Sequence, residues 1–133
     1  MAAGKYSFTL EQGTTTNFEI AYTDSNGDPV DLTGYNARMQ LRPTPGSETI
    51  YLTLSSSLGP CGTGLNMSGS AGINPPTSGT IGIYISAASS SLLDFNQASY
   101  DLEIASGSGN CAVVTRLLEG KIQLSKEITL GSF

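Results

Sequence analysis

Asp24, Asn26 and Asp28 stand at alternate positions in DSNGD, the spacing with which a calcium loop opens. Such a loop would carry Gly where this chain has Pro29 and Glu where it has Tyr35. The segment therefore reads as a polar hairpin turn, in which Asp and Asn bond their own backbone and Asn26-Gly27 tolerates positive φ. Carboxylates recur at Asp101 and Glu103, on one face of one strand, and at Glu119 and Glu127. Paired acids could hydrolyse a glycosidic bond if a cleft held them at the right separation. On the outward face of a strand they are solvated charges. The chain has no histidine, which removes the commonest general base and metal ligand. No carboxylates cluster near Cys61 or Cys111 to complete a zinc site. Gly62-Thr63-Gly64 and Gly107-Ser108-Gly109 lack a following helix and a Lys at phosphate-binding spacing, so both read as turns. No catalytic residue, metal site or cofactor is expected, and the chain is not expected to be an enzyme.

Binding chemistry is better represented. Tyr51 and Tyr84 oppose the apolar phase of their strands and are expected to face outward, where rings can stack on a sugar. Tyr6 and Tyr100 fall on the apolar phase of theirs. Cys61 and Cys111 both lie in Gly/Ser-rich loops. Reduced thiols are the default, and a disulfide between them after release into an oxidising medium is the alternative. It would close a loop of about 50 residues, worth roughly 3–4 kcal/mol if unstrained.

The elements that carry these residues are short strands. Tyr6–Leu10, Thr15–Tyr22, Tyr35–Arg42, Glu48–Leu54, Gly79–Ser86 and Ala98–Ala105 alternate apolar and polar residues. Ile50, Leu52 and Leu54 are expected inward, as are Ile81, Ile83 and Ile85, then Tyr100, Leu102 and Ile104. Cys111–Leu118 and Lys121–Leu130 read as two segments broken at Gly120 by a bulge or a switch of sheet, with Ile122, Leu124 and Ile128 inward. Ala87–Phe95 reads as a turn of helix placing Leu92, Leu93 or Phe95 over an open end. Residues 55–77 form a long Gly/Ser/Pro-rich loop with isolated apolar residues Leu58, Leu65, Met67 and Ile73, the main candidate contact surface. A short strand around Leu65–Met67 fits inside it. At 133 residues the chain is one domain, 1–133. The pattern predicts an all-β fold, an immunoglobulin-like antiparallel β-sandwich, with a small barrel as the alternative architecture.

A formal net charge of −5 with six Lys plus Arg leaves no electrostatic footprint for nucleic acid. No apolar run reaches the roughly 18 residues of a membrane span. MAAGKYSFTL has no apolar core after Lys5, so no secretory signal is expected. Charged residues make up only 13% of the chain, a surface readily desolvated against neighbours.

Four pieces, in this order, resemble a domain of tailed-bacteriophage structural proteins that includes the N-terminal part of baseplate upper proteins. They are FTLEQGTTTNFEIAYTDSNGDPVDLTGYNARMQLR (8–42), GTIGIYIS (79–86), YDLEI (100–104) and VTRLLEGKIQLSKEIT (114–129). DLTGY, YDLEI and TRLLEGKIQLSKEIT carry most of the specificity. The resemblance implies an immunoglobulin-like sandwich, made in the host cytoplasm and carried in the virion. It would dock, in multiple symmetric copies, onto other phage structural proteins of the tail or baseplate. A capsid decoration protein of the same fold is the alternative, and a small carbohydrate-binding module is a third reading. The resemblance transfers no catalytic residue. The middle loop is longer than the pattern and the chain stops at Phe133, which favours a stand-alone adaptor, plug or decoration protein over a receptor-binding fibre.

Overall fold

Alternation of apolar and polar residues becomes strand along most of the chain. The computed structural model describes residues 4–59, 62–69, 75–107 and 111–128. Among them the strands are β1 (Gly4–Lys5), β2 (Phe8–Glu11), β3 (Thr16–Ala21), β4 (Tyr35–Arg42), β5 (Leu52–Ser55), β6 (Gly64–Asn66), β7 (Thr80–Ile85), β8 (Gln97–Ser106) and β9 (Val113–Ser125), with one short α-helix, α1 (Ala87–Ser91), and a 3-10 turn at Pro76–Ser78. They make an all-β sandwich of two packed sheets. The larger has the order β1–β9–β8–β4–β5, with β2 also beside β9; the smaller has the order β3–β7–β6. Links β2–β3, β3–β4, β5–β6 and β7–β8 each change sheet.

The core lies between the sheets. Ile81, Ile83 and Ile85 of β7 face Met39 and Leu41 of β4, Leu102 and Ile104 of β8, and Ile122 of β9 in one buried cluster. Each such side chain contributes about 1.5–3 kcal/mol of burial. Helix α1 covers one end as expected: Leu93 and Phe95 are buried, while Leu92 is left outside. Hydroxyls fix it there. Ser86 caps the helix by accepting from Ser89 N. Buried Ser90 accepts from Gly13 N at 3.0 Å and donates to Thr14 O at 2.8 Å. Thr63 Oγ1 accepts from Ser86 N at 3.0 Å.

The turn after β3 forms as read. Asp24 N donates to Asp28 O, Gly27 N donates to Asp24 O, and Gly27 has φ 83°. Its flanking strands do not pair with each other, however, but lie in different sheets.

Several expectations are corrected. The sandwich is not wholly antiparallel: β1 and β2 run parallel to β9, with Phe8 beside Ile122 and Leu10 beside Leu124. Lys121–Ser125 is therefore paired on both sides, by β8 and β2. β9 is continuous through Gly120. The irregularity lies earlier, where the register passes from Leu102↔Leu118 to Glu103↔Arg116 and leaves Leu117 as an extra residue. Gly120 serves a different need. A Cβ there would lie 2.0 Å from Tyr6 O and 3.2 Å from the Tyr100 ring. Ile50 is exposed because β5 starts only at Leu52, and Ile128 is exposed because β9 has ended at Ser125.

Tyr100 uses the space left at Gly120. Its hydroxyl donates to Tyr6 O, and its ring meets Phe8 edge-on at 5.6 Å; Phe8 in turn meets Phe18 of the other sheet at 5.3 Å. Burial, then the nearby Tyr6, pushes the Tyr100 phenol up to about 12 from 10.0. The folded state thus favours the neutral phenol, a contribution present below pH 10 and lost as pH rises towards 12.

Two predictions follow from this contact. Tyr100→Phe should cost about 1–3 kcal/mol at pH 7 by leaving Tyr6 O unpaired, and denaturant titrations from pH 9 to pH 12 should show a smaller alkaline loss of stability than in the parent. Gly120→Ala should cost about 1–3 kcal/mol or more by overpacking, and hydrogen exchange should show β1 and β2 losing protection before β4 and β8.

Candidate functional site

The outer face of the larger sheet gathers the charges. Cross-strand pairing sets Arg38, Gln40 and Arg42 of β4 against Glu103, Asp101 and Ser99 of β8. β9 adds Arg116, Glu119 and Lys121, and β1 adds Lys5. Arg38 meets Glu103 at 2.9 Å; Arg116 meets both Asp101 and Glu119 at 3.3 Å; Lys5 meets Glu119 at 3.3 Å. The β4 and β8 residues, with Arg116, Glu119 and Thr44–Gly46, line an open groove of about 490 Å³, and Lys5 and Lys121 stand outside its lining.

The groove acids are held differently. Burial, then the neighbouring Glu103 charge, raises the Asp101 carboxyl above its usual range, against the pull of Arg116 and Arg38. A hydrogen bond and charge from Lys5, with Arg116 behind them, lower Glu119. Both carboxylates share one guanidinium, so the arrangement is an ion-pair lattice across strands. Glu127 lies elsewhere: its backbone N–H donates to the Gln12 side chain at 2.9 Å.

The other residues singled out by the sequence are scattered. Asp24 Oδ1 accepts from Asn26 N at 2.9 Å and Asp28 N at 3.0 Å, so this carboxylate is spent on its own turn. Asp31 does the same for Thr33, whose hydroxyl and amide lower its carboxyl. Tyr51 is not an outward ring: it stacks on Phe95 at 4.7 Å and closes the core. Tyr84 does lie on the outer face of the smaller sheet, beside Asn17 and Gly64. Cys111 is an exposed free thiol; Cys61 lies outside the described residues, as does Ile73. Residues 55–77 are not one surface loop. Leu65 sits in β6 fully buried, and Met67 packs against the core. Leu58 is exposed.

A second surface was not foreseen. Tyr6, Phe18, Ile20, Tyr22, Leu117 and Leu118 make most of a mainly apolar slot of about 560 Å³ where the larger sheet's β1–β9 side opens beside β3, with Glu19 and Ala21 of β3 also in its lining. β3 itself is an edge strand, with β7 on one side and no strand on the other among the described residues. The signal in the sequence was Leu117-Leu118, adjacent apolar residues that break strict alternation.

No known protein family and no curated protein matches this chain. Among the described residues no helix is long and apolar enough to cross a membrane, and no group of three or more Cys, Asp or Glu could hold a metal ion.

The Asp101 environment carries a pH test. Its folded-state affinity for a proton exceeds that of the unfolded chain, so its contribution is favourable at low pH and lost as pH rises through its folded value. Asp101→Asn should therefore raise the denaturation midpoint at pH 7 and leave it unchanged near pH 2. Equal shifts at both values would show that ionisation of this carboxyl is not what costs stability.

Proposed function

We propose that this chain is a non-enzymatic docking module, a bacteriophage virion structural protein of the tail or baseplate, made in the host cytoplasm and assembled with other virion proteins in symmetric copies. The observation that carries the docking reading is the β3 edge beside the apolar slot. β3 is six residues long, with no proline, no bulge and Glu19 as its one charge. It lacks most of the devices that keep sheet edges from pairing. An extended strand of a neighbour, apolar at alternate positions, could pair with its backbone while filling the slot.

The strand order supports the immunoglobulin-like part of the reading. One sheet has N-terminal strands parallel to the last strand, the other is built of β3, β7 and β6, and the chain crosses between the two four times. The assignment to a virion rests on the sequence resemblance. Repetition of weak contacts around a symmetric particle would supply avidity. The carbohydrate reading loses one of its two rings, since Tyr51 is stacked on Phe95.

Gold labelling of purified phage particles with an antibody to this chain tests the assignment. Label at the tail end is the expected result. Label over the head would replace it with a decoration role, and absence from particles would remove the virion reading. Asn17→Lys with Ala21→Lys, at exposed β3 positions, should leave the fold intact and cut incorporation at least tenfold if β3 is the docking edge.

A further inference from the structure

Five of the six cations of this acidic chain lie on one surface. There is no Lys or Arg between Tyr6 and Ala37, and none between Pro43 and Thr115. Lys5, Arg38, Arg42, Arg116 and Lys121 all lie on the outer face of the larger sheet, by the register of β1, β4 and β9. Lys126 follows β9 and pairs with Asp94 at 3.1 Å. Three of the five on the sheet, Lys5, Arg38 and Arg116, are taken by the ion-pair lattice.

Arg42 and Lys121 are left. Both are in register with Ser99, Arg42 from β4 and Lys121 from β9, so the three form one row across the sheet. At about 5 Å between antiparallel neighbours, the outer two Cα atoms are about 10 Å apart. Neither cation has a carboxylate within ion-pair distance among the described residues. Arg42 is half-buried and fixed, donating Nε and Nη2 to the Gln40 side chain and Nη1 to Ser47 O. A guanidinium has five N–H donors, so two remain, held in place beside a serine hydroxyl.

The opposite charge is displayed on the turn between β3 and β4. Asp24, Asp28 and Asp31 are exposed there. Asp24 and Asp31 bond their own turns. The Asp28 carboxylate makes no hydrogen bond or ion pair among the described residues. The turn is narrow and pinned by the Thr23–Pro29 bridge, the form that enters an open groove.

From this complementarity we infer that the Arg42–Ser99–Lys121 row receives the Asp28 turn of a second copy of this chain, head to tail. The row and the turn are different patches, so each contact leaves one unsatisfied row and one unsatisfied turn. Copies therefore add in rings or open chains and do not stop at a two-fold dimer. The contact is electrostatic and exposed, so it weakens as salt shortens the screening length from about 10 Å at 0.1 M to about 3 Å at 1 M. This inference does not depend on the virion reading, and it is tested on the isolated protein.

Sedimentation velocity from micromolar to millimolar concentration, in low and high salt, provides the test. The expected result is mass that grows with concentration beyond a dimer and falls at least tenfold in apparent affinity at 1 M salt. Lys121→Ala should abolish growth by removing one cation of the receiving row, and Asp28→Asn should abolish it by neutralising the turn. Mixing the two variants should restore a single 1:1 species and nothing larger, since only one good contact survives. Unchanged near-ultraviolet circular dichroism checks that both variants are folded. A wild type that stays monomeric throughout overturns the inference. So does association that neither variant weakens, or a mixture that stays monomeric.

Discussion

The Tyr100 hydroxyl reaches past residue 120 to the carbonyl of Tyr6, and closure of the larger sheet depends on that reach. β1 is only two residues long and β2 four. Such short parallel strands are weak on their backbone bonds alone. They are held because the missing side chain at Gly120 lets the Tyr6 backbone and the Tyr100 ring meet in the space a Cβ would take. Phe8 and Phe18 then join the same aromatic group and tie the N-terminal strand to both sheets. A single absent methyl group thus permits a hydrogen bond, a covered edge and an inter-sheet contact.

The same closure determines what stays open. With β1 and β2 committed to β9, nothing among the described residues pairs with the free side of β3. The Leu117 bulge turns two adjacent leucines towards this gap, where Tyr6, Phe18 and Ile20 already lie. The slot is therefore a consequence of which sheet the N-terminus joined. Had the N-terminal strand paired with β3 instead, the smaller sheet would be covered and the β9 side exposed.

Much of this fold is legible in the sequence, and its losses share one cause. Period-two alternation identifies the buried face, and it placed Ile81, Ile83, Ile85, Leu102, Ile104 and Ile122 inward. Local chemistry was equally readable: Asn26-Gly27 made its turn, and α1 brought Leu93 and Phe95 over the core. Alternation is silent on which strand lies beside which. Parallel pairing with β9 is set by contacts more than 100 residues apart, such as Lys121 N with the Ser7 hydroxyl. A glycine within a strand signals a bulge or a close backbone approach alike, and only the position of Tyr6 decides between them at Gly120. A short strand at Leu65 was legible, but not that Leu65 is core, because β6 is three residues long, too short to show which face is buried. The candidate surfaces were less legible still. The carboxylates of β8 were visible, but their arginine partners come from β4 and β9.

The two surfaces that remain obey different physics. The β3 edge offers backbone groups beside an apolar slot, so a strand bound there would gain mainly from hydrogen bonds and desolvation, which salt affects little. The larger sheet's outer face offers charges whose pairing is already mostly internal, with Arg42 and Lys121 left over at one row, and contacts there respond to ionic strength. The lattice also limits what else this face can bind. Asp101, Glu103 and Glu119 stand between the cations, so an extended polyanion laid across the sheet would meet a carboxylate in the adjoining rows. Only a small acidic group that stays within the Arg42–Ser99–Lys121 row avoids that repulsion, which is why a single turn carboxylate fits this surface better than a nucleic acid backbone does.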